Sequence, residues 1–311
     1  MPSSADALIV SAPASSANLG PGFDTLAVAL DLSNAVVVTQ RPGPLEVRVV
    51  GECEGELPEN GTNLVCEAIA EGLGDLDGLS IECRNRIPLG RGLGSSAAAV
   101  CAGLVAANAL GRLRWSPDEI LARAAQLEGH ADNAAACLTG GLVAVTPGPQ
   151  VRVLGPPEDL AFVVAVPSVR VSTDDARGAL PDGVPLPVVA TTLSRAVGLT
   201  LALADGRLED LPPLLADDVH EPSRQALVPG IGEMRALSGE GGCLGVTISG
   251  SGPSALLWCR VEDADELAVR ATAALERAGI DSEVKVRRPS ATGVRARWGG
   301  SEASRLAKAV G

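Results

Sequence analysis

The segment PLGRGLGSSAAA, residues 88–99, contains the residue types whose spacing most clearly predicts chemistry in this sequence. Its glycines, Gly90, Gly92 and Gly94, let backbone N–H groups approach an anion closely, because they carry no Cβ atom. The small apolar residues that follow predict a helix, and a helix N-terminus offers unpaired N–H groups and a positive dipole end to phosphate. The hydroxyl of Ser96 is in addition a suitable Mg²⁺ ligand. The segment therefore predicts a loop that binds phosphate.

Two better-known phosphate loops do not match this segment. It lacks the lysine of the GxxxxGK[ST] P-loop, and its third glycine follows the second by two residues, one fewer than in the dinucleotide-binding fingerprint. The structural alternative is a tight turn of small residues between a strand and a helix. We favour anion binding, with ATP as the ligand, because the glycines and the predicted helix start coincide. The predicted ATP-binding residues are Pro88, Leu89, Gly90, Arg91, Gly92, Leu93, Gly94, Ser95, Ser96, Ala97 and Ala98.

A second polar cluster lies at EGHADN, residues 128–133, at a predicted break between two helices. A lone histidine is more often a core or surface residue, but His130 is one of only two histidines and has Glu, Asp and Asn beside it. Such a cluster favours a functional site. Asn18 and Asp24 flank the turn LGPG and form a further candidate pair. The structural alternative for these two residues is hydrogen bonding to their own backbone.

Three segments together resemble the signatures of the GHMP kinase superfamily, which includes galactokinases, homoserine kinases, mevalonate kinases and phosphomevalonate kinases. PLGRGLGSSAAA resembles the second signature, APASSANLGPGFD (residues 12–24) the first in its homoserine-kinase form, and VTISGSGPS (residues 246–254) the third. They occur in the family's order and spacing, so the resemblance covers the chain apart from its tail. It implies an α+β fold of two domains, an N-terminal α+β domain and a C-terminal ferredoxin-like domain, with the active site in the cleft between them.

Further segments resemble homoserine kinases in particular. They are EGHADN, STDDAR at residues 172–177, and HEPSR at residues 220–224 followed by LVPG; mevalonate kinases and galactokinases do not share this set. The departures are mild, because Ser223 stands where tyrosine is common and Ala131 where proline is common. The resemblance implies an enzyme that uses ATP and Mg²⁺ to phosphorylate the side-chain hydroxyl of L-homoserine to O-phospho-L-homoserine, in threonine biosynthesis.

The same resemblance assigns roles to the polar residues. Arg177 and Arg224 are expected to bind the substrate carboxylate, where two guanidinium groups give charge-assisted recognition. Ser96 and Glu128 are expected to hold Mg²⁺, which takes oxygen ligands. The role of Asp132 stays open between catalytic base and ligand of the substrate ammonium group. The predicted catalytic residues are Ser96, Glu128, Asp132 and Asn133, and the predicted substrate-binding residues are Asn18, Asp24, His130, Asp132, Asn133, Thr173, Arg177, Arg224 and Gly250.

Composition narrows the class of partner. A net charge of −13 disfavours a nucleic-acid-binding surface, and two Phe, three Trp and no Tyr leave little for base stacking. Uncharged apolar runs such as residues 95–110 are too short to cross a bilayer, and the N-terminus lacks the basic segment of a secretory signal. We therefore expect a cytoplasmic protein with no nucleic-acid or membrane partner, and the resemblance allows a homodimer. The seven cysteines contain no CxxC pair, which predicts reduced, structural thiols.

Hydrophobic patterns and breaks divide the chain. Strands are predicted at residues 7–13, 35–40, 45–50, 79–85, 161–166, 245–249, 254–260 and 282–287, and helices at 63–73, 95–110, 117–128, 173–180, 187–204, 230–238 and 264–278. The composition changes at TPGP, residues 146–149. We therefore predict an N-terminal ATP-binding domain at 1–150, a C-terminal domain at 151–297 and a flexible tail at 298–311. The Arg-, Gly- and Ser-rich segment from Pro289 onward is expected to be poorly ordered.

Two alternative functions stay open at this point. One is another small-molecule kinase of the superfamily, acting on mevalonate or a sugar. The other is a catalytically silent relative that binds a nucleotide or metabolite. A silent relative can keep the glycine-rich loop and lose the metal and substrate groups, whereas Ser96, Glu128 and Asp132 are all present here. The sequence therefore favours an enzyme.

Overall fold

The computed structural model describes residues 7–148 and 150–299. Its strands are β1 (Ala7–Ala17), β2 (Leu26–Gln40), β3 (Glu46–Gly51), β4 (Leu79–Asn85), β5 (Leu142–Thr146), β6 (Gln150–Leu154), β7 (Leu160–Pro167), β8 (Gly245–Ile248), β9 (Ala255–Arg260), β10 (Ser282–Arg287) and β11 (Arg295–Gly299). Its α-helices are α1 (Leu64–Leu73), α2 (Ser95–Gly111), α3 (Pro117–Glu128), α4 (Asp132–Thr139), α5 (Thr173–Gly178), α6 (Leu186–Ala204), α7 (Glu221–Arg224), α8 (Ile231–Arg235) and α9 (Ala264–Arg277).

Local sequence signals set several of these boundaries. α3 begins where Ser116 and Glu119 form a capping box: the backbone N–H of Glu119 donates to Ser116 Oγ (3.3 Å), and that of Ser116 donates to Glu119 Oε2 (2.8 Å). α1 begins after Asn63, whose Oδ1 accepts from the N–H of Val65 (3.0 Å). The predicted strand at 79–85 and the predicted helix at 117–128 are confirmed with the same limits.

The first sheet has seven strands and carries the main core. Its order is β11-β1-β2-β4-β3, and β5 pairs with the start of β2 and with β6. α2 and α4 pack against β1 and β2, while α1 and α3 pack against α2. The helices approach closely because the contact residues are small: a Cβ on Gly103 would lie 2.5 Å from Ala68 Cβ. This packing places the N-terminus of α2 beside the end of β1, where the chain turns toward β2.

The second sheet has four antiparallel strands in the order β10-β7-β9-β8. The chain passes from β7 through α5 to α8 into β8 and β9, and then through α9 into β10, which is the ferredoxin-like succession. α8 and α9 pack against this sheet, and Leu257, Met234 and Leu267 are among the buried residues between them. The predicted α+β fold with a ferredoxin-like C-terminal half is confirmed.

The predicted division of the chain differs from the structure in two places. β6 pairs with β5, from Leu142↔Leu154 to Thr146↔Gln150, so the first unit extends past residue 150 to Leu154. The prediction of a poorly ordered segment from Pro289 is wrong for 295–299, because β11 pairs with β1 from Ala7↔Gly299 to Ser11↔Arg295. Backbone hydrogen bonds to an open sheet edge order this segment although its composition resembles a loop. Residues 300–311 of the predicted tail lie outside the described residues.

Two further expectations can be compared with the structure. All seven cysteines are buried free thiols, and burial raises the pKa of Cys83 to about 12. α6 is long and apolar enough, by length and composition alone, to cross a membrane, with 22% of its most apolar stretch buried. Arg195 lies within it and pairs with Asp218 (2.6 Å). One such helix is weak evidence for a membrane segment, and the cytoplasmic location stays a prediction.

Candidate active site

A cleft of about 220 Å³ lies between the two sheets, and the loops singled out in the sequence line it. Every predicted site residue lines this cleft except Ala98, which is completely buried in the core. The predicted members are Asn18, Asp24, 88–97, Glu128, His130, Asp132, Asn133, Thr173, Arg177, Arg224 and Gly250. Ala17, Val171, Ser172 and Ser251 line it as well, without having been predicted. The structure thus brings the predicted residues together, and their individual roles stay predictions.

The glycine-rich loop reaches α2 in a conformation that only glycine adopts easily. Gly90, Gly92 and Gly94 have φ values of +67°, +74° and +68°. A Cβ on Gly92 would lie 2.2 Å from the carbonyl oxygen of Ser249, and one on Gly94 would lie 2.2 Å from Ser15 Oγ. The first helical hydrogen bond of α2 runs from Ala98 N to Gly94 O (2.9 Å), which leaves the preceding N–H groups at the cleft without helical partners. The loop therefore offers both close approach and free donors to an anion.

The three signature segments hold one another by hydrogen bonds at the base of the cleft. The first segment meets the second where Ser15 N donates to Leu93 O (3.1 Å). The third meets the second where Ser249 Oγ donates to Gly92 O (2.6 Å), and the same oxygen lies 2.8 Å from Ser16 Oγ. The backbone N–H of Gly250 donates to Ala17 O (3.1 Å). Segments more than 200 residues apart in the chain are thereby fixed relative to the phosphate loop.

Oxygen atoms suited to a metal face the phosphate loop. Ser96 Oγ donates to Glu128 Oε1 (2.5 Å), and burial raises the pKa of Glu128. Within residues 7–148 and 150–299, no group of three or more His, Cys, Asp or Glu side chains could hold a metal ion by itself. Mg²⁺ fits the oxygens present, because it is commonly bound by one or two protein oxygens, substrate phosphates and water.

The EGHADN segment is ordered by its own hydrogen bonds. Asp132, only 3% exposed, accepts the backbone N–H of Asn133 at Oδ1 (2.7 Å), and the same oxygen lies 3.0 Å from His130 Nδ1. This contact with Asp132 raises the pKa of His130. Asn133 Oδ1 accepts from Ser15 Oγ (2.9 Å), which joins the start of α4 to the first signature and the phosphate loop.

Asn18 and Asp24 differ in how they face the cleft. Asn18 bonds to the backbone at both ends of its amide: Oδ1 accepts from Asp24 N (3.1 Å), and Nδ2 donates to Gly250 O (2.8 Å). Its amide therefore orders the loop while the residue lines the cleft, and its role in substrate binding stays a prediction. The Asp24 carboxylate instead binds Arg177, whose Nη2 donates to Oδ1 (2.9 Å) and whose Nη1 donates to Oδ2 (3.2 Å).

Arg224 is a buried cation whose acceptors in the described structure are neutral. It is 2% exposed, its Nε donates to Ala176 O (3.2 Å), and its Nη1 lies 3.3 Å from both Gly250 O and His220 Nδ1. Its guanidinium carbon lies 5.3 Å from the centre of the Phe23 ring. Burial lowers the pKa of Arg224, and the neighbouring cation Arg177 lowers it further. The cleft therefore contains, at Arg224, a buried positive charge that an anionic ligand could neutralise.

Three contributing residues were not predicted as members of the site. Ser15 donates a hydrogen bond to Asn133, and the ring of Phe23 lies beside the guanidinium of Arg224. His220 contacts the backbone carbonyl oxygen of Gly20. Each lies inside a segment quoted for the family resemblance, so the segments signalled them. Their partners could not be predicted, because Ser15 and Asn133 are 118 residues apart in the chain and His220 and Gly20 are 200 apart.

Comparison with known proteins defines the class. Models of the GHMP kinase N-terminal and C-terminal domains match residues 61–141 and 199–277. The fold also resembles that of a mevalonate kinase, with a TM-score of 0.69 at 15% identity over 91% of this chain and 99% of that one. The chain belongs to the GHMP kinase family.

Relatives of higher identity include homoserine kinases. The homoserine kinase of Moorella thermoacetica is 39% identical over 89% of this chain and 95% of its own length, and that of Streptomyces coelicolor is 38% identical over 93% and 96%. The crystal structure of homoserine kinase from Cytophaga hutchinsonii has a TM-score of 0.85 at 31% identity, covering 94% of this chain and 97% of that one. These likenesses extend through both halves of the chain.

Proposed function

We propose that this protein transfers the γ-phosphoryl group of ATP to the side-chain hydroxyl of L-homoserine, giving ADP and O-phospho-L-homoserine, in threonine biosynthesis. The observation that carries the substrate is Arg224, which is 2% exposed, faces the cleft and has neutral protein acceptors. A buried cation is costly unless an anion approaches it. The carboxylate of an amino acid supplies that anion.

The ammonium group of the substrate separates homoserine from the other candidates of the superfamily. Mevalonate has a carboxylate and a hydroxyl but no amine, and galactose has neither charge. Asp24 lies beside Arg177 and is 41% exposed in its side chain, so an incoming amino acid can reach it. We assign the ammonium group to Asp24 and the carboxylate to Arg224 and Arg177, because oppositely charged groups stand side by side there.

The phosphate half of the cleft acts by positioning and charge neutralisation. The free N–H groups at the start of α2 and the loop backbone at Gly92 and Gly94 bind the phosphates of ATP and stabilise the charge on the transferred group. The reaction is an in-line displacement in which the homoserine oxygen attacks the γ-phosphorus and ADP leaves. Thr173 lines the same cleft, and we assign its hydroxyl to the transferred group.

We assign Ser96 and Glu128 to Mg²⁺ and Asp132 to the reacting hydroxyl. When bound, Mg²⁺ supplies charge neutralisation at the phosphate oxygens. Asp132 is placed near the phosphate loop because its neighbour Asn133 lies close to Gly94: a Cβ on Gly94 would be 3.1 Å from Asn133 Oδ1. In this assignment Asp132 orients the hydroxyl and accepts its proton, while Asp24 binds the ammonium group.

A substrate panel tests the proposal. Purified protein with Mg·ATP is given homoserine, mevalonate, galactose or no acceptor, and ADP release is followed. We expect release that depends on homoserine and is absent with the other acceptors. Release with mevalonate or galactose instead would identify another small-molecule kinase. Bound ATP with no turnover on any acceptor would identify a silent relative.

Two coarser properties remain part of the proposal. The family resemblance is compatible with a homodimer, and sedimentation velocity at micromolar concentration distinguishes a mass near 31.4 kDa from twice that value. Cytoplasmic location is expected for an enzyme that consumes ATP, and fractionation of the source cells measures it.

A further inference from the structure

His220 is completely buried next to Arg224, which lines the cleft, and both of its ring nitrogens have partners. Nε2 lies 2.9 Å from Gly20 O, and Nδ1 lies 3.3 Å from Arg224 Nη1. The ring also stacks on Phe23, with centroids 5.0 Å apart. His220 therefore bridges the loop after β1 and the arginine at the end of α7.

The chemistry of the two partners determines which ring nitrogen carries the hydrogen. A carbonyl oxygen only accepts, so Nε2 is the donor to Gly20; a guanidinium only donates, so Nδ1 is the acceptor from Arg224. Both bonds form together only when the ring is neutral and protonated at Nε2. Nδ1 of His220 thus accepts a hydrogen bond from Arg224 through its lone pair, and the neutral ring brings no negative charge to the guanidinium.

The charged groups around the ring are compatible with this neutral state. Asp217 Oδ2 lies 3.6 Å from Nε2, but that oxygen already accepts the backbone N–H groups of Val219, His220 and Glu221. Arg224 faces the ring from α7 and Asp24 faces it from the loop before β2. Burial is the largest influence, and it lowers the pKa of His220.

A neutral acceptor has a consequence for recognition. An aspartate or glutamate in contact with Arg224 would pair with the guanidinium before substrate arrives, and the substrate carboxylate would then compete with it. Arg177, which also lines the cleft, is in that situation, because it is paired with Asp24. Arg224 is oriented by His220, by two carbonyl oxygens and by the Phe23 ring, none of which carries a negative charge.

We propose that His220 is a positioning residue for substrate recognition: it holds Arg224 toward the cleft as a neutral acceptor and leaves the guanidinium charge to a carboxylate ligand. This inference rests on the proposed function and adds to it a residue that does not touch the substrate. It also explains why a histidine, with its two distinct nitrogens, suits a site between a carbonyl oxygen and a guanidinium.

Two variants of equal size separate orientation from charge. His220→Asn retains a neutral acceptor on a shorter side chain, while His220→Asp adds a negative charge. Both are compared with the wild-type protein by the KM for homoserine, the KM for ATP and kcat. We expect His220→Asn to stay within about threefold of the wild-type homoserine KM and His220→Asp to raise it about 10-fold above that of the Asn variant.

A third variant tests the hydrogen bond itself. His220→Phe retains an aromatic ring beside Phe23 and removes both polar contacts, so we expect a homoserine KM about 10-fold above wild type with an unchanged KM for ATP. Thermal unfolding of each variant checks that it folds. If His220→Phe does not fold, the homoserine KM values of His220→Asn and His220→Asp still test whether a negative charge at this position weakens substrate binding.

The outcomes that overturn the inference are specific. Equal homoserine KM values for the Asn and Asp variants would show that the charge at position 220 has no effect on carboxylate binding. Equal rises in the KM for homoserine and for ATP would show a general structural role. A wild-type protein without homoserine-dependent turnover would instead refute the proposed function, so the two failures are distinguishable.

Discussion

Arg177 and Asp24, 153 residues apart in the chain, bind each other with two hydrogen bonds, from Nη2 to Oδ1 (2.9 Å) and from Nη1 to Oδ2 (3.2 Å). Both side chains are more than a third exposed, so the pair is worth little as a stabilising contact. We interpret it as a match for the zwitterion of an amino acid. We propose that the ammonium group replaces Arg177 at Asp24 and that the carboxylate binds Arg177 together with Arg224.

Removal of the buried arginine is expected to impair substrate binding selectively. Arg224→Ala removes a charge-assisted contact to the carboxylate, so we expect the KM for homoserine to rise roughly 10- to 100-fold. The affinity for ATP, measured by calorimetry without homoserine, stays within about twofold of wild type, because we assign Arg224 to the substrate carboxylate and not to the phosphates. An equal loss of ATP affinity would contradict this placement.

The two aspartates of the cleft are expected to differ in which kinetic constant they control. Asp24→Asn weakens ammonium binding and raises the homoserine KM about 10-fold, whereas Asp132→Asn lowers kcat by about 100-fold with a smaller change in KM. Glu71→Gln is the matched control, because it breaks an exposed ion pair with Arg123 (2.8 Å) that does not line the cleft. Steady-state kinetics on the three variants provide the comparison, and the reverse pattern would exchange the two assignments.

The magnesium requirement is expected to depend on Glu128. Glu128→Gln retains a hydrogen bond to Ser96 but loses the negative charge, so half-maximal activity should need roughly 10-fold more Mg²⁺. The measurement is a titration of initial rates with Mg²⁺ at fixed ATP. A variant with the wild-type Mg²⁺ dependence would remove Glu128 from the metal site.

A methyl group on the phosphate loop is expected to disrupt the site. In Gly94→Ala the Cβ would lie 2.2 Å from Ser15 Oγ at a φ of +68°, so backbone strain and a steric clash act together. We expect a loss of roughly 2–3 kcal/mol in the free energy of unfolding and strongly reduced ATP binding.

Gly279→Ala provides the control for the loop. Gly279 has a φ of +69°, but nothing lies within 4 Å of its ideal Cβ position, so only the strain of about 1 kcal/mol applies. Urea unfolding and ATP binding are measured for both variants. Equal destabilisation by the two substitutions would mean that the contact with Ser15 is not what requires glycine at position 94.

The elements that the sequence predicts well are those with local signals. Ser116 and Glu119 cap α3, and the paired residues are three positions apart. β4 has an apolar alternation that closely matches its burial. The phosphate loop was likewise predictable, because its glycines and the start of α2 are adjacent in the chain. In each case the deciding interactions are near neighbours.

The elements that were not predicted depend on distant partners. Most of β11 is exposed, and its charged sequence RARWG has no apolar alternation; only the open edge of β1 makes it a strand. The same reason applies to the site. Periodicity could not show that His220 contacts Gly20 and Arg224, although the HEPSR segment indicated that the region matters.

The most direct test of the account is identification of the product. Purified protein is incubated with Mg·ATP and L-homoserine, and phosphorus NMR with mass spectrometry follows the phosphorylated species. We predict O-phospho-L-homoserine in equal amounts with ADP, and loss of this product when Arg224 is replaced by alanine at a homoserine concentration near the wild-type KM. Formation of ADP with inorganic phosphate alone, or no reaction while ATP is bound, would contradict the account.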